Sequence, residues 1–255
     1  MDWIQQARHL LDVIERTQQE AMETAADIAA DAIGGGGVVH MLGTGHSRIP
    51  VEEMFPRYGS YPGWHPIVEL SMTFHTEVAG ANGQRQAMFI ERVPGLAEVV
   101  FSNFALRPTD AIMIFSAGGR NAFPVEAALL ARKAGLKVVA VTSLAEARSV
   151  PATHSSGTVL ADNADVVIDL CTPTGDAACV VEGWEQKVGP TSTIANVAIV
   201  NTVKVLTARR LAERGIELPV LTGAQIAGAE RSAELFENAY LEHARRKAGV
   251  LKVSS

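Results

Sequence analysis

The sequence contains few cysteines and no excess of basic residues. Its 255 residues include two cysteines, Cys171 and Cys179, and neither has a partner at the spacing of a zinc site. A disulfide framework is therefore not expected, and the composition fits a reducing, cytoplasmic location. The formal net charge is −6, whereas a protein that binds nucleic acid usually presents a basic face. We expect no nucleic-acid partner.

Long apolar runs and low-complexity linkers are also missing. No run reaches the roughly 18 apolar residues of a membrane span, and the amphipathic, acidic N-terminus does not resemble a signal peptide. We therefore expect no membrane partner. No segment rich in Pro, Ser or Gly divides the chain, so we expect one domain over residues 1–255. The hydrophobic fraction of 47% is enough to fill its core.

Short apolar runs alternate with amphipathic segments along the chain. Apolar residues at helical spacing predict an N-terminal helix over 1–33 and a C-terminal helix over 227–247. Buried strands are predicted at the runs VVHML, HPIVE, AIMIF, VVAVT and DVVID. This alternation is typical of an α/β fold, a three-layer, Rossmann-like sandwich in which helices flank a parallel sheet.

Small and hydroxyl residues follow the first strand. The loop reads Gly43-Thr44-Gly45-His46-Ser47. Glycines let a backbone approach a ligand, and the next helix offers free amides to an anion. A tight turn capped by Ser47 is an equal alternative. A dinucleotide fingerprint is disfavoured, because Arg48 stands where its third glycine belongs.

A second loop of this kind follows AIMIF. It reads Ser116-Ala117-Gly118-Gly119-Arg120-Asn121. It adds the guanidinium of Arg120, whose planar fork suits phosphate. A turn with Asn121 as cap is the alternative. Two such loops at one sheet edge favour a shared anion pocket built from Ser116, Gly118, Arg120 and Asn121 together with the first loop.

Two further strand-end segments carry hydroxyl groups. Thr142 and Ser143 end VVAVT, where a helix cap is an equally good explanation. The last segment, before a long helix, offers four candidate ligands: Gln186, Lys187, Thr191 and Ser192. A proline-led helix start explains part of this pattern. The lysine and the hydroxyl cluster exceed what a helix start needs.

The set GTGHS, SAGGRN, TS and KVGPTST resembles the sugar isomerase (SIS) domain, and most closely its single-domain phosphosugar-binding branch. An EEMF-type helix at 51–55 and the Gly-Asp-Ala segment at 175–177 extend the resemblance. The KVGPTST stretch is also similar to the KAGT stretch of N-acetylmuramic acid 6-phosphate etherases. The resemblance implies a five-stranded parallel sheet and a homodimer or higher homo-oligomer.

The resemblance also implies how the ligand is held. Ser47, Ser116 and Asn121 would bind the sugar phosphate, with Thr44, Gly118 and Ser143 close by. Many members carry a second hydroxyl in the second loop, where this chain has Gly118-Gly119-Arg120. Because of this difference the anionic group stays open: phosphate is the first expectation, and sulfonate and carboxylate are alternatives.

Aldose–ketose isomerisation requires a base that moves a proton between neighbouring carbons. Glu53 aligns with a metal-binding histidine of phosphoheptose isomerases and is one candidate, although a solvated helix face explains it equally well. His75 suits ring opening because histidine titrates near neutrality, and the similar branch has a matching stretch. Glu182 lies where related isomerases supply acid–base groups. We predict no metal and no cofactor, since the zinc ligands of phosphoheptose isomerases do not carry over.

The sequence thus predicts an isomerase acting on a phosphorylated aldose or ketose. Two alternatives remain open: a lyase or ether hydrolase using the same enolisation, and a non-catalytic sugar-phosphate sensor. The sensor keeps the anion pocket but needs no base. Regulatory members carry a helix-turn-helix domain before the SIS domain, and the segment before the first strand is too short for us to expect one.

Overall fold

Five parallel strands form the central sheet of the computed structural model, which describes residues 2–73 and 84–251. The strand order is β2-β1-β3-β4-β5. The strands are β1 Val39–Gly43, β2 Trp64–Ile67, β3 Ala111–Phe115, β4 Lys137–Thr142 and β5 Val166–Asp169. All neighbouring pairs are parallel, so the predicted α/β fold with five parallel strands is confirmed.

Helices cover both faces of this sheet. They are α1 Trp3–Thr17, α2 Gln19–Gly34, α3 Ile49–Glu52, α4 Gln84–Ile90, α5 Leu96–Phe101, α6 Ala122–Lys133, α7 Leu144–Ala147, α8 Ser192–Glu213, α9 Ala224–Ala227 and α10 Ala229–Ala248. Successive strand residues point to opposite faces. Met113 of β3 therefore packs with α1, α2 and α8, whereas Ile112 and Ile114 pack with α5 and α6.

The N-terminal helix predicted over 1–33 is two helices, α1 and α2. Gln18 separates them, with φ −113° and ψ 6°. Its side-chain oxygen accepts a hydrogen bond from the amide of Asp169 at the end of β5, at 2.9 Å. The break thus ties the helices to a sheet edge. The C-terminal helix predicted over 227–247 corresponds to α10.

The predicted loop between Leu170 and Gly189 contains a short antiparallel hairpin. Its strands are β6 Ala177–Cys179 and β7 Val188–Pro190. The indole of Trp3 donates a hydrogen bond to the carbonyl of Pro190 at 3.0 Å, so α1 anchors the base of the hairpin. Its far end exposes Val180 and Trp184, which are 77% and 65% accessible to solvent.

None of the helices within residues 2–73 and 84–251 combines the length and the apolar character that crossing a membrane requires.

A buried carboxylate joins the starts of β1 and β3. Asp110 accepts hydrogen bonds from the amide of Val38 at 3.0 Å and from the guanidinium of Arg107 at 2.9 and 3.0 Å. His40 Nε2 lies 3.7 Å away, and the ring of His40 contacts that of His65. Burial alone would raise the pKa of Asp110, but His40, Arg107 and the Val38 amide lower it to about 2.

We predict that Asp110→Asn lowers the free energy of unfolding at pH 7 and flattens its acid dependence. The pKa of Asp110 falls from 3.8 to about 2 on folding, so its ionised form stabilises the fold above pH 4. That contribution, about 2 kcal/mol, is lost as the pH falls from 4 towards 2. Urea unfolding of both proteins between pH 2 and pH 7 measures the difference.

The exposed Asp12→Asn exchange is the matched control and should leave the curve unchanged. Parallel curves for the wild type and Asp110→Asn would contradict this account of the buried carboxylate.

Candidate functional site

A cavity of about 370 Å³ opens at the carboxyl ends of β1 and β3. The chain passes from β1 outward to β2, then returns to add β3 on the other side of β1. This reversal of strand order leaves a crevice, the usual ligand site of doubly wound sheets. The residues that line this switch-point pocket come from both strand-end loops, from α4 and the residue after it, from the β6–β7 hairpin and its flank, and from the start of α8: Thr44, Gly45, His46, Ser47, Gln84, Ala87, Met88, Glu91, Ser116, Ala117, Gly118, Asn121, Asp176, Pro190, Ser192 and Thr193.

The first loop folds back tightly against its own strand. A Cβ atom on Gly43 would collide with the carbonyl oxygen of Ser47, so this position requires glycine. The amide of Ser47 donates to the carbonyl of Thr44 at 3.0 Å, and Gly45 has φ 55°. The resulting turn places the hydroxyl residues Thr44 and Ser47 on the wall of the pocket.

The second loop is held by its own serine. Ser116 Oγ accepts a hydrogen bond from the amide of Gly119 at 3.1 Å. Asn121 precedes α6, but its side chain makes no cap bond and instead donates to Glu91 Oε2 at 2.7 Å. The amide of Phe123 donates to the carbonyl of Glu91 at 3.0 Å. Glu91 is thus fixed at the start of α6 and lines the pocket.

Asp176 organises the third wall. Its carboxylate accepts hydrogen bonds from the amides of Thr191 at 3.0 Å and Ser192 at 2.8 Å, and from Ser192 Oγ at 2.5 Å. A carboxylate at this place satisfies the free amides of α8 and interacts favourably with the helix dipole. The start of the longest helix is therefore locked beside the two strand-end loops.

Eight of the fifteen binding residues predicted from the sequence meet in this pocket. They are Thr44, Gly45, His46, Ser47, Ser116, Gly118, Asn121 and Ser192. Of the rest, Gly43 shapes the first loop and Thr191 is buried behind Ser192.

Thr142 and Ser143 are buried supports rather than parts of the pocket lining. Thr142 Oγ1 donates to the carbonyl of Ala117 at 3.2 Å. Ser143 Oγ donates to the carbonyl of Thr172 at 3.0 Å and accepts from the amide of Glu146 at 3.3 Å. Both hydroxyls therefore hold neighbouring loops in place.

Arg120, Gln186 and Lys187 also lie outside the pocket lining. The guanidinium of Arg120 pairs with Glu146 at 2.9 Å. Gln186 and Lys187 are exposed in the connection between β6 and β7, and so is Glu182.

The carboxylates that line the pocket are not those predicted from the sequence. Glu53 lies outside it, accepting a hydrogen bond from Asn201 at 2.9 Å and pairing with Arg57. His75 falls outside the described residues. Within them, Glu91 and Asp176 are the carboxylates on the pocket wall. Asp176 belongs to the Gly-Asp-Ala segment, whereas Glu91 closes a polar segment that carried no motif.

Residues 2–73 and 84–251 contain no cluster of three or more His, Cys, Asp or Glu side chains arranged to hold a metal ion. The absence of a metal and of a cofactor stays a prediction.

The fold and the pocket define a doubly wound α/β protein with a pocket at its switch point. Residues 2–143 match the SIS domain family, and the chain belongs to that family. It is 34% identical to a UPF0309 protein of Caldanaerobacter subterraneus, over 89% of this chain and 92% of that one. A UPF0309 protein of Streptomyces coelicolor is 34% identical, over 89% and 90% of the two chains.

Solved structures show the same fold. A phosphoheptose isomerase from Francisella tularensis superposes with a TM-score of 0.52 at 13% identity, covering 81% of this chain and 95% of that one. The phosphoheptose isomerase of Neisseria gonorrhoeae gives a TM-score of 0.50 at 13% identity, covering 82% and 95%.

We predict that Asp176→Ala destabilises the protein by about 2 kcal/mol, because it removes the hydrogen bonds at the start of α8. Asp2→Ala is a matched control: it removes a helix cap with one amide hydrogen bond at a residue that does not line the pocket. Chemical denaturation measures both. A loss for Asp176→Ala no larger than that for Asp2→Ala would contradict its role as organiser of the pocket wall.

Proposed function

We propose that this protein binds a sugar phosphate in the switch-point pocket and interconverts its aldose and ketose forms. The observation that carries the proposal is the convergence of hydroxyl side chains from three separate segments on one pocket: Ser47, Ser116 and Ser192. Membership in the SIS domain family supports it. The phosphoheptose isomerases that share the fold support it as well.

The pocket can hold an anion through neutral hydrogen-bond donors. Neither lysine nor arginine occurs among the described residues that line it. A phosphate there would be held by hydroxyl groups and by backbone amides of the strand-end loops, with the positive end of the α6 dipole facing it, since Asp176 already occupies the amides at the start of α8.

Glu91 is the base that the geometry favours. In the isomerisation a base removes the proton from C2 to give an enediol and returns a proton to C1, while the hydroxyl proton moves between O2 and O1. Asn121 holds one oxygen of Glu91, and no hydrogen bond to the other is found in the described part of the chain. Asp176 is less suited, because both of its oxygens accept hydrogen bonds from the start of α8.

Other groups complete the proposal. His46 lines the pocket, where its imidazole nitrogens can hydrogen-bond to sugar hydroxyls. The roles of His75, Glu53 and Glu182 stay predictions, and the positions of Glu53 and Glu182 outside the pocket favour Glu91 over both.

A homodimer or higher oligomer and a cytoplasmic location also stay predictions. Exposed Trp184 on the hairpin favours self-association.

We predict that sugar phosphates raise the thermal midpoint, because a ligand that binds only the native state stabilises it. Ser47→Ala and Ser116→Ala should each weaken binding about tenfold through loss of a hydrogen bond to a charged group. A thermal-shift titration against phosphorylated, amino and sulfonated sugars measures this. Exposed Ser102→Ala is the control. Binding that is absent for every anionic sugar, or unchanged in both pocket variants, would contradict the proposal.

We predict that Glu91→Gln lowers kcat at least 100-fold on the sugar phosphate that binds, because a proton-transfer residue contributes roughly that much. The isosteric amide should keep the affinity within about threefold. The assay measures turnover as the rate at which the ketose forms.

Exposed Glu98→Gln is the matched control and should keep full activity. Full turnover by Glu91→Gln, with loss in Glu53→Gln or Glu182→Gln, would place the base elsewhere. A wild type that binds sugar phosphates but converts none of them would favour the sensor.

A further inference from the structure

A second cavity, of about 660 Å³, adjoins the switch-point pocket. Its lining includes the cationic side chains of Arg92 and Arg120, the imidazole of His154 and the hydroxyl of Thr153. This arginine cavity therefore has the charged donors that the first pocket lacks.

The two cavities share a wall. Asn121 lines both of them. Gly118 lines the switch-point pocket, and Arg120 Nε lies 3.6 Å from the position that a Cβ atom on Gly118 would occupy. Glu146 Cγ lies 3.3 Å from the same position, so a ligand anchored at Ser116 that extends past these residues meets the ion pair of Arg120 and Glu146.

Both arginines have N–H groups left to donate to an anion. Arg120 donates to Glu146 at 2.9 Å and to Ser149 at 3.4 Å, which engages two of its five N–H groups and fixes the fork. Arg92 makes no ion pair or side-chain hydrogen bond within the described residues, so its charge remains uncompensated by a direct partner.

The acidic groups near the arginine cavity are already engaged. Glu146 pairs with Arg120 and also accepts from the amide of Gly175 at 2.9 Å. Glu126 lies 3.5 Å from His154 Nε2 and accepts from the amide of Gly95. The charge of Glu146 compensates that of Arg120, and the carboxylate of Glu126 lies beside the imidazole of His154. Arg92 is therefore the charge that a ligand would neutralise.

We propose that the arginine cavity binds a second anionic group of the same substrate. The substrate class is then a phosphorylated sugar that also carries a carboxylate or a second phosphate. The first phosphate binds to the neutral donors of the switch-point pocket, and the second anion binds to the guanidinium groups, whose planar fork matches carboxylate and phosphate oxygens. This inference rests on the proposed function, since the first phosphate sets the position of the second group.

Calorimetric titration with three probes tests the inference: glucose 6-phosphate with one anionic group, and 6-phosphogluconate and fructose 1,6-bisphosphate with two. We expect at least one of the doubly anionic probes to bind about tenfold more tightly than glucose 6-phosphate, the effect of a charge-assisted hydrogen bond. Which of the two gains more tells whether the second anion is a carboxylate or a phosphate.

Arg92→Gln and Arg120→Gln should each remove most of this preference and leave glucose 6-phosphate binding within about twofold. Arg148→Gln removes the same charge from an exposed position outside both cavities and is the matched control. Arg92→Gln is decisive, because Arg120→Gln also breaks the pair with Glu146.

Equal affinity for all three probes, or a preference that Arg92→Gln leaves intact, would overturn the second anion site without affecting the proposed function. Binding of none of the probes would overturn both. A preference that depends on Arg92 but persists in Ser47→Ala and Ser116→Ala would support the arginine cavity and contradict the placement of the first phosphate.

Discussion

The reversal of strand order between β1 and β3 is the constraint on which the rest of the structure depends. β1 and β3 are neighbours in the sheet, but the segments that follow them lead towards opposite edges. The segment after β1 leads to β2, and the segment after β3 leads to β4. The gap between the departing loops becomes the pocket. Ser47 and Ser116 face one cavity because their strands are neighbours, although 69 positions separate them in the sequence.

Close contacts at both ends of these strands maintain that arrangement. At the pocket end, Gly43 lets the first loop fold onto the carbonyl of Ser47. At the opposite end, the buried carboxylate of Asp110 joins the amide of Val38 to Arg107 and fixes β1 beside β3. The loops that line the pocket therefore extend from strands that are held in place at both ends.

The strands and the two main loops could be predicted because their signals are local. An apolar run followed by Gly and Ser residues identifies both a strand and its ligand-facing end, as at Gly43 and Ser116. The carboxylates could not be predicted in the same way. Glu91 is held at the pocket by contacts with Asn121 and Phe123, which lie 30 and 32 positions further along the chain.

Other differences have similar causes. Arg120 belongs to a loop predicted to bind an anion, yet its guanidinium pairs with Glu146 from the next strand-end segment and lines the neighbouring cavity. The hairpin of β6 and β7 has strands of three residues each, too short for an alternation pattern to reveal. The break at Gln18 depends on a bond to Asp169, which no helical periodicity encodes.

The central claim is that the switch-point pocket holds the phosphate of a sugar phosphate. A crystal structure of the protein soaked with its most stabilising sugar phosphate tests this most directly. The account predicts phosphate density within hydrogen-bond distance of the hydroxyls of Ser47 and Ser116. Density elsewhere, for example in the apolar cavity of about 400 Å³ between Tyr61 and the end of α8, would contradict it.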